Sequence, residues 1–279
     1  MKVIAALFLS IFLVLSTQAL DIETSPQVAW QGKVLTVKIS PAVDVSSVKG
    51  SFLGRQFPLY NVGDDYRGII GVPIDQKPGY YDLKLIVTYK YGRTETRMKR
   101  MKVWSTRFPF SKFWLRPSKN KLRSPQIVND EWAQIEKVLI KKDPAQRWQG
   151  KFLPPVEGTM SQGFGHRQII NNKRAGSHRG VDYAVLVGTN VQAPNDGKVV
   201  FIDRLRAFGG TIVLDHGQGI HTLYFHLSKI YPKVGEDVKK GDIIALSGDS
   251  GVSSGAHLHW GMSVHNLRVD PLQWVKHEI

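Results

Sequence analysis

The chain of 279 residues contains no cysteine. That excludes thiolate nucleophiles, thiolate metal sites and disulfides, so any fold must hold by core packing or by a metal held on other ligands. Acidic residues are also scarce: 23 Asp and Glu stand against 38 Lys and Arg, a formal charge of +15. Such a surplus attracts anionic polymers, nucleic acid or acidic headgroups. Past residue 15 no apolar run approaches the roughly 20 residues needed to cross a bilayer as a helix. Histidine is missing from the first 165 residues, and all nine lie beyond them.

What is present begins with a leader. Met1-Lys2 is a short positive start, residues 3–15 are almost wholly apolar, and Ser16-Thr17-Gln18-Ala19 offers a small-residue cleavage region. This layout predicts a signal peptide over 1–19 and export of the remainder. Export argues against nucleic acid as partner of the basic surface. An acidic extracellular polymer and association with the cell envelope fit it better.

Residues 20–104 carry a period-two alternation at 35–39 and again at 81–89. Lys77-Pro78-Gly79 and Tyr91-Gly92-Arg93 punctuate them as turns before a further strand at 94–103. Alternation of this kind marks half-buried strands. Short strands with regular turns predict an immunoglobulin-like β-sandwich, a binding or positioning module without a catalytic constellation. Residues 105–155 read as a linker broken by proline, with one helix over about 125–142. Ser124 can cap it, Pro125 suits its first position, and Val128, Trp132, Ile135 and Leu139 share a face. From 156 to 279 glycine, β-branched residues and histidine dominate. Strand-like runs at 191–193, 197–202, 211–214, 221–225 and 243–246 predict an antiparallel β domain without a helix. The whole is expected to be all-β in two domains joined by a short helical linker.

Three segments of the last domain concentrate titratable side chains. His178 and Asp182 stand four apart, a spacing that places both on one face of a strand. His257 and His259 flank Leu258, so two rings can face a site while the leucine faces a core. His226 ends an apolar strand. Imidazole nitrogens and a carboxylate oxygen are sound zinc ligands. A catalytic zinc centre uses about three protein ligands and leaves a position for water. His178, Asp182 and one of the 257/259 pair meet that count and leave two histidines spare. A neutral imidazole beside such a centre can move a proton, the layout of an amide hydrolase.

These pieces resemble the lysostaphin/LytM-type zinc endopeptidases of bacterial cell walls. The resemblance covers roughly 156–275 and rests on Gly176-Ser177-His178-Arg179-Gly180-Val181-Asp182, Gly188-Thr189-Asn190-Val191-Gln192-Ala193 and Gly209-Gly210-Thr211-Ile212-Val213-Leu214-Asp215-His216-Gly217. It also rests on Tyr224-Phe225-His226-Leu227-Ser228, Val238-Lys239-Lys240-Gly241-Asp242 and Ser254-Gly255-Ala256-His257-Leu258-His259-Trp260. It implies that His178, Asp182 and His259 bind Zn2+, that His257 is the general base, and that His226 polarises the scissile carbonyl or holds the oxyanion. It further implies a peptidoglycan peptide as substrate, the periplasm or envelope as location, and a groove edge at 168–175 that shapes substrate choice. Members lacking ligands serve as non-catalytic scaffolds or activators of other wall hydrolases, the alternative role. Of the remaining histidines, His216 is expected to be structural and His221 to face the groove or solvent. His166, His265 and His277 are expected at the surface or in loops.

Overall fold

The computed structural model describes residues 20–40, 42–141 and 143–279. The leader expected at 1–19 lies outside them, as does Lys142 at the expected helix end. Among the described residues no helix is long and apolar enough to cross a membrane.

The N-terminal region is one eight-stranded path folded on itself. Its order is Asp21–Ser25, Val34–Ser40, Asp65–Gly71, Arg55–Val62, Val45–Phe52, Gly79–Tyr89, Thr94–Trp104 and Ala29–Trp30. Arg55–Val62 joins the two layers: residues 55–59 pair with Val45–Phe52, and residues 60–62 pair with Asp65–Gly71. The layers close on a core that includes Leu35, Val37, Ile39, Phe57, Leu83 and Leu85, all at most 1% exposed. The expected strands at 35–39, 81–89 and 94–103 are present. The strands between 45 and 71 had no alternation to reveal them. Gly50 interrupts it because the Phe57 ring lies where its Cβ would be, and Gly68 because Leu59 and the Pro58 carbonyl crowd its position.

The C-terminal region is built on an antiparallel sheet ordered Thr159–Gln162, Val181–Ala184, Leu258–Val264, Ile220–Leu227, Gly209–Gly217, Gly197–Leu205 and Asp237–Val238. The three central strands are buried along their whole length. This double burial explains the short continuous apolar runs Ile212–Leu214 and Leu223–Phe225. Leu258, Trp260, Met262 and Val264 share one face and enter the main core. Their neighbour His259 therefore points the other way. A separate hairpin, Arg167–Ile170 and Lys173–Ser177, turns on Asn171 and Asn172, both left-handed at φ 50° and 63°. Two consecutive asparagines suit such a turn.

The segment between the sheets carries more structure than the single expected helix. Phe110–Phe113 is a strand that pairs in parallel with Arg167–Ile170. Helix α1 spans Pro117–Lys121 and helix α2 spans Pro125–Leu139. Ser124 caps α2 by accepting a hydrogen bond from the Ile127 N–H at 3.3 Å. The buried stripe of α2 is Glu131, Ile135 and Leu139, four apart, with Trp132 partly buried beside it. Ile135 and Leu139 pack on Leu205, Val213, Leu223 and Phe225 at the back of the sheet. A five-residue helix α3, Leu272–Lys276, departs from the helix-free expectation for 156–279. It was too short to show a 3.6-residue period.

The two sheets are not loosely strung. Val34 and Ile69 of the first, with Ile74 of the turn that follows it, join the core of the second. Lys33 forms an ion pair with Asp270. Gln273 grips Val34 from both sides: its carbonyl accepts from the Val34 N–H and its amide donates to the Val34 carbonyl, each at 2.9 Å.

His216 is buried and bonded at both ring nitrogens, to the Asp196 carbonyl at 2.7 Å and the Thr222 hydroxyl at 2.8 Å. That agrees with a structural role. His221 departs from expectation: it is fully buried rather than facing groove or solvent, and Asp215 lies 3.7 Å away. It follows Ile220 in a strand buried on both faces. Burial lowers both rings to about 4. The unfolded chain binds these protons near pH 6.5, whereas the fold resists them down to about 4. Stability is therefore full above about pH 6.5, and about 3 kcal/mol per ring is lost as pH falls to 4. Asp215, raised by burial, opposes part of that loss. Urea unfolding at pH 7 and pH 4.5 tests this. His221→Leu should roughly halve the difference, because one of the two titrating rings is removed and His216 remains.

Candidate active site

Three elements converge on one spot. Asp182 lies on Val181–Ala184 and His259 on Leu258–Val264, and the two residues are directly opposite in register. His178 directly follows the strand Lys173–Ser177, just before Asp182's strand and not within it. The four-residue spacing thus works through a turn at Arg179-Gly180 rather than through strand periodicity.

The ligating atoms form a tight triangle. His178 Nε2 is 3.1 Å from Asp182 Oδ1 and 3.0 Å from His259 Nδ1, and His259 Nδ1 is 2.8 Å from Asp182 Oδ1. His178 Nδ1 donates to the Gly163 carbonyl at 3.0 Å. That proton placement leaves the Nε2 lone pair turned inward, as metal-bound histidines are held. Burial pushes the Asp182 carboxyl up, but the imidazoles of His178 and His259 close beside it override that and hold the group well below the usual carboxylate range. Burial lowers His259 to about 4, so its ring is neutral at pH 7. Two imidazoles and one carboxylate, all donor atoms within 4.8 Å of one another, make a donor set that fits a divalent metal ion such as zinc.

Backbone chemistry permits the approach. A Cβ on Gly180 would meet the Trp260 carbonyl oxygen at 2.5 Å and His259 Nε2 at 2.6 Å. Gly180→Ala must therefore displace either the Leu258–Val264 strand or the His259 ring. It is expected to cost about 1–3 kcal/mol and to weaken metal binding, read by thermal unfolding and by metal content after gel filtration.

Two further histidines stand beside the triangle. His257 Nδ1 donates to the Gly255 carbonyl at 2.8 Å and lies 3.1 Å from the Ser253 hydroxyl. Its Nε2 lies 3.9 Å from Asp182 Oδ1. His226 Nδ1 donates to the Ser250 carbonyl at 2.7 Å, and its ring centre is 4.7 Å from that of His257. His226 adopts φ +63°, a left-handed conformation rare for a residue with a side chain. It sits where the register between the strands Gly209–Gly217 and Ile220–Leu227 shifts. Such a bulge turns a strand-end ring out of the sheet and into the site. Burial keeps His226 well below the ordinary histidine value, and the neighbouring His257 and His259 add to that.

The five residues picked from the sequence are therefore brought together, and His166, His216 and His221 line no part of the triangle. Sequence reasoning missed the orienting acceptors, the carbonyls of Gly163, Ser250 and Gly255, because a backbone oxygen has no residue signature. It also missed Arg268, a buried cation over the Trp132 and Phe225 rings, 5.3 and 5.9 Å away. Burial, with Arg179 adding repulsion, lowers it to about 9.

The triangle opens into a groove of about 1000 Å3. Gln168, Ile170 and Ala175 of the Asn-turn hairpin line one part of it, as expected of the 168–175 edge. Lys112, Arg123 and Trp132 of the linker line another. Asp182 and His257 each keep 15% of the side chain exposed, so the groove reaches solvent.

Residues 176–271 match the model of peptidase family M23. This segment, about a third of the chain, is a peptidase family M23 domain. The M23 domain contains the triangle and both neighbouring histidines. A Haemophilus influenzae protein named "Uncharacterized metalloprotease" is 44% identical over 140 residues, 44% of this chain and 30% of the relative. The Vibrio cholerae peptidoglycan DD-endopeptidase ShyA is 39% identical over 132 residues, 47% of this chain and 31% of the relative. The match thus spans about 30% of the length of these curated relatives. A crystal structure of a Pseudomonas aeruginosa protein assigned to peptidase M23 aligns over 90% of this chain and 95% of its own, at a TM-score of 0.66 and 26% identity. That likeness extends beyond the M23 segment to the N-terminal strands.

Proposed function

We propose that the chain is an exported zinc metalloendopeptidase that hydrolyses peptide bonds of bacterial peptidoglycan. The observation that carries the reading is the buried His178–Asp182–His259 triangle with two differently anchored imidazoles beside it. His178, Asp182 and His259 would hold the ion. When bound, zinc supplies Lewis acidity, acidifying water and polarising a carbonyl.

The remaining work falls to the chain's own groups. The Gly255 carbonyl fixes the His257 proton on Nδ1, so Nε2 offers a lone pair on the side of Asp182. That atom accepts a proton from the attacking water and returns it to the leaving amine. The Ser250 carbonyl fixes His226 in the same tautomer. His226 Nε2 therefore rests as an acceptor, and it donates to a developing oxyanion only after gaining a proton. Burial of the ring makes that proton unstable at rest, so it is readily given up again. The groove walls position the peptide, and their basic residues, Lys112 and Arg123, suit an acidic stem peptide. Similarity to a peptidoglycan endopeptidase and the leader-like residues 1–19 support the substrate class and the envelope location.

Mass spectrometry of fragments released from purified peptidoglycan tests the reading. New peptide amino termini are expected. A folded, zinc-loaded chain that releases none rules the reading out.

A further inference from the structure

We propose that Glu131, on helix α2 outside the M23 segment, is a positioning residue for His226. The proposal rests on the peptidase reading, since it assigns the origin of a catalytic ring's orientation. Glu131 is a carboxylate on the buried stripe of a helix, only 6% exposed. Packing of Ile135 and Leu139 alone would seat that helix, and an apolar residue would serve better at 131 if packing were all. Its two oxygens instead accept from consecutive backbone amides. Oε1 takes the Arg206 N–H at 2.7 Å and Oε2 takes the Ala207 N–H at 2.8 Å. Charge-assisted bonds of this kind are the strong ones.

The gripped loop leads to His226 by two routes. The Phe208 carbonyl, one residue on, accepts from the His226 backbone N–H at 2.9 Å. The Ala207 carbonyl accepts from the Val252 N–H at 2.7 Å, and Ser250, two residues before Val252, accepts from His226 Nδ1. Backbone and ring of His226 are thus both anchored to segments that one carboxylate holds. This matters because His226 sits at φ +63°, a conformation its own strand does not favour. The same helix face adds a packed aromatic path. Trp132 meets Phe208 at 6.1 Å, Phe208 meets Phe225 at 4.8 Å, and Phe225 stacks on the His259 ring at 5.1 Å and 13°.

The test uses the full zinc-loaded chain with Glu131→Gln and Glu131→Ala. The first keeps one acceptor oxygen. The second leaves two inward-facing amides without their partner. The kcat on purified peptidoglycan fragments is expected to fall about 10- to 100-fold in the alanine variant and less in the glutamine variant. KM should stay within about twofold and zinc content should be unchanged. Nitrogen-15 spectra of the His226 ring should change from a single Nδ1–H tautomer to a mixture, which a merely structural role would not produce. An unaltered His226 tautomer in a folded variant overturns the proposal, as does a loss of rate matched by loss of zinc. If the unmodified chain hydrolyses nothing, the peptidase reading falls, while the His226 spectra still decide the positioning.

Discussion

His257→Ala is expected to lower kcat by about 10²- to 10⁴-fold while leaving metal content at the unmodified level. The expectation separates two rings that sit one residue apart. His259 shares the triangle with Asp182 and His178 at 2.8 and 3.0 Å. His257 stands further off, 3.9 Å from Asp182, and its other nitrogen is committed to the Gly255 carbonyl. A ring so placed is near enough to exchange a proton with water at the site and too far to be needed as a ligand. His259→Ala, by contrast, should lose the metal and the rate together. Steady-state rates alongside metal analysis of the two variants check the division. Equal metal loss in both would show that the assignment of roles is wrong.

Asp182→Asn should have the larger effect on binding. The carboxylate is held well below its ordinary range by two imidazoles, so it is ionised at any working pH. An amide is neutral, and its NH2 would face His178 Nε2 or His259 Nδ1, both within 3.1 Å of the present oxygen. Metal affinity is expected to fall by at least about 100-fold, the upper end of what supporting partners of ligands cost. Stability follows by linkage. With metal at about 100 times its Kd, binding adds about 3 kcal/mol to the folded state. A chelator should therefore lower the melting temperature of the unmodified chain clearly and that of Asp182→Asn hardly at all. Differential scanning calorimetry with and without chelator reads this out. A melting temperature indifferent to chelator in the unmodified chain would remove the metal from the picture.

Much of the site was legible because its chemistry resides in side chains at fixed spacings. His257 and His259 could be placed on one face and Leu258 on the other, toward the core, where it is fully buried. Asp182 and His178 were paired for a partly mistaken reason: the sequence suggested one strand, and a glycine-bearing turn does the work. What stayed hidden depends on atoms that every residue has. Three backbone carbonyls set the tautomers of three rings, and no residue type announces them. Glu131 was hidden differently. An acid in an amphipathic helix ordinarily faces water, and only the return of residues 206–207 beneath Glu131 shows the buried grip.

The fold divides in the same way. Strands exposed on one face, such as 35–39 and 81–89, declared themselves by alternation. Those between 45 and 71 did not, because Gly50 and Gly68 stand where Phe57, Leu59 and the Pro58 carbonyl fill the space. The parallel pairing of Phe110–Phe113 with Arg167–Ile170 joins residues about 57 positions apart, and four-residue strands leave little trace in composition. That pairing brings the linker to the groove, where Lys112 and Arg123 meet residues of the M23 domain.

Purified peptidoglycan should be incubated with three samples of one preparation: the chain as isolated, the chain stripped by chelator, and the stripped chain reloaded with zinc. New peptide amino termini are expected from the first and third and none from the second. Equal release by the stripped chain, or no release after zinc is restored to a folded chain, would contradict the assignment of His178, Asp182 and His259 to a catalytic metal.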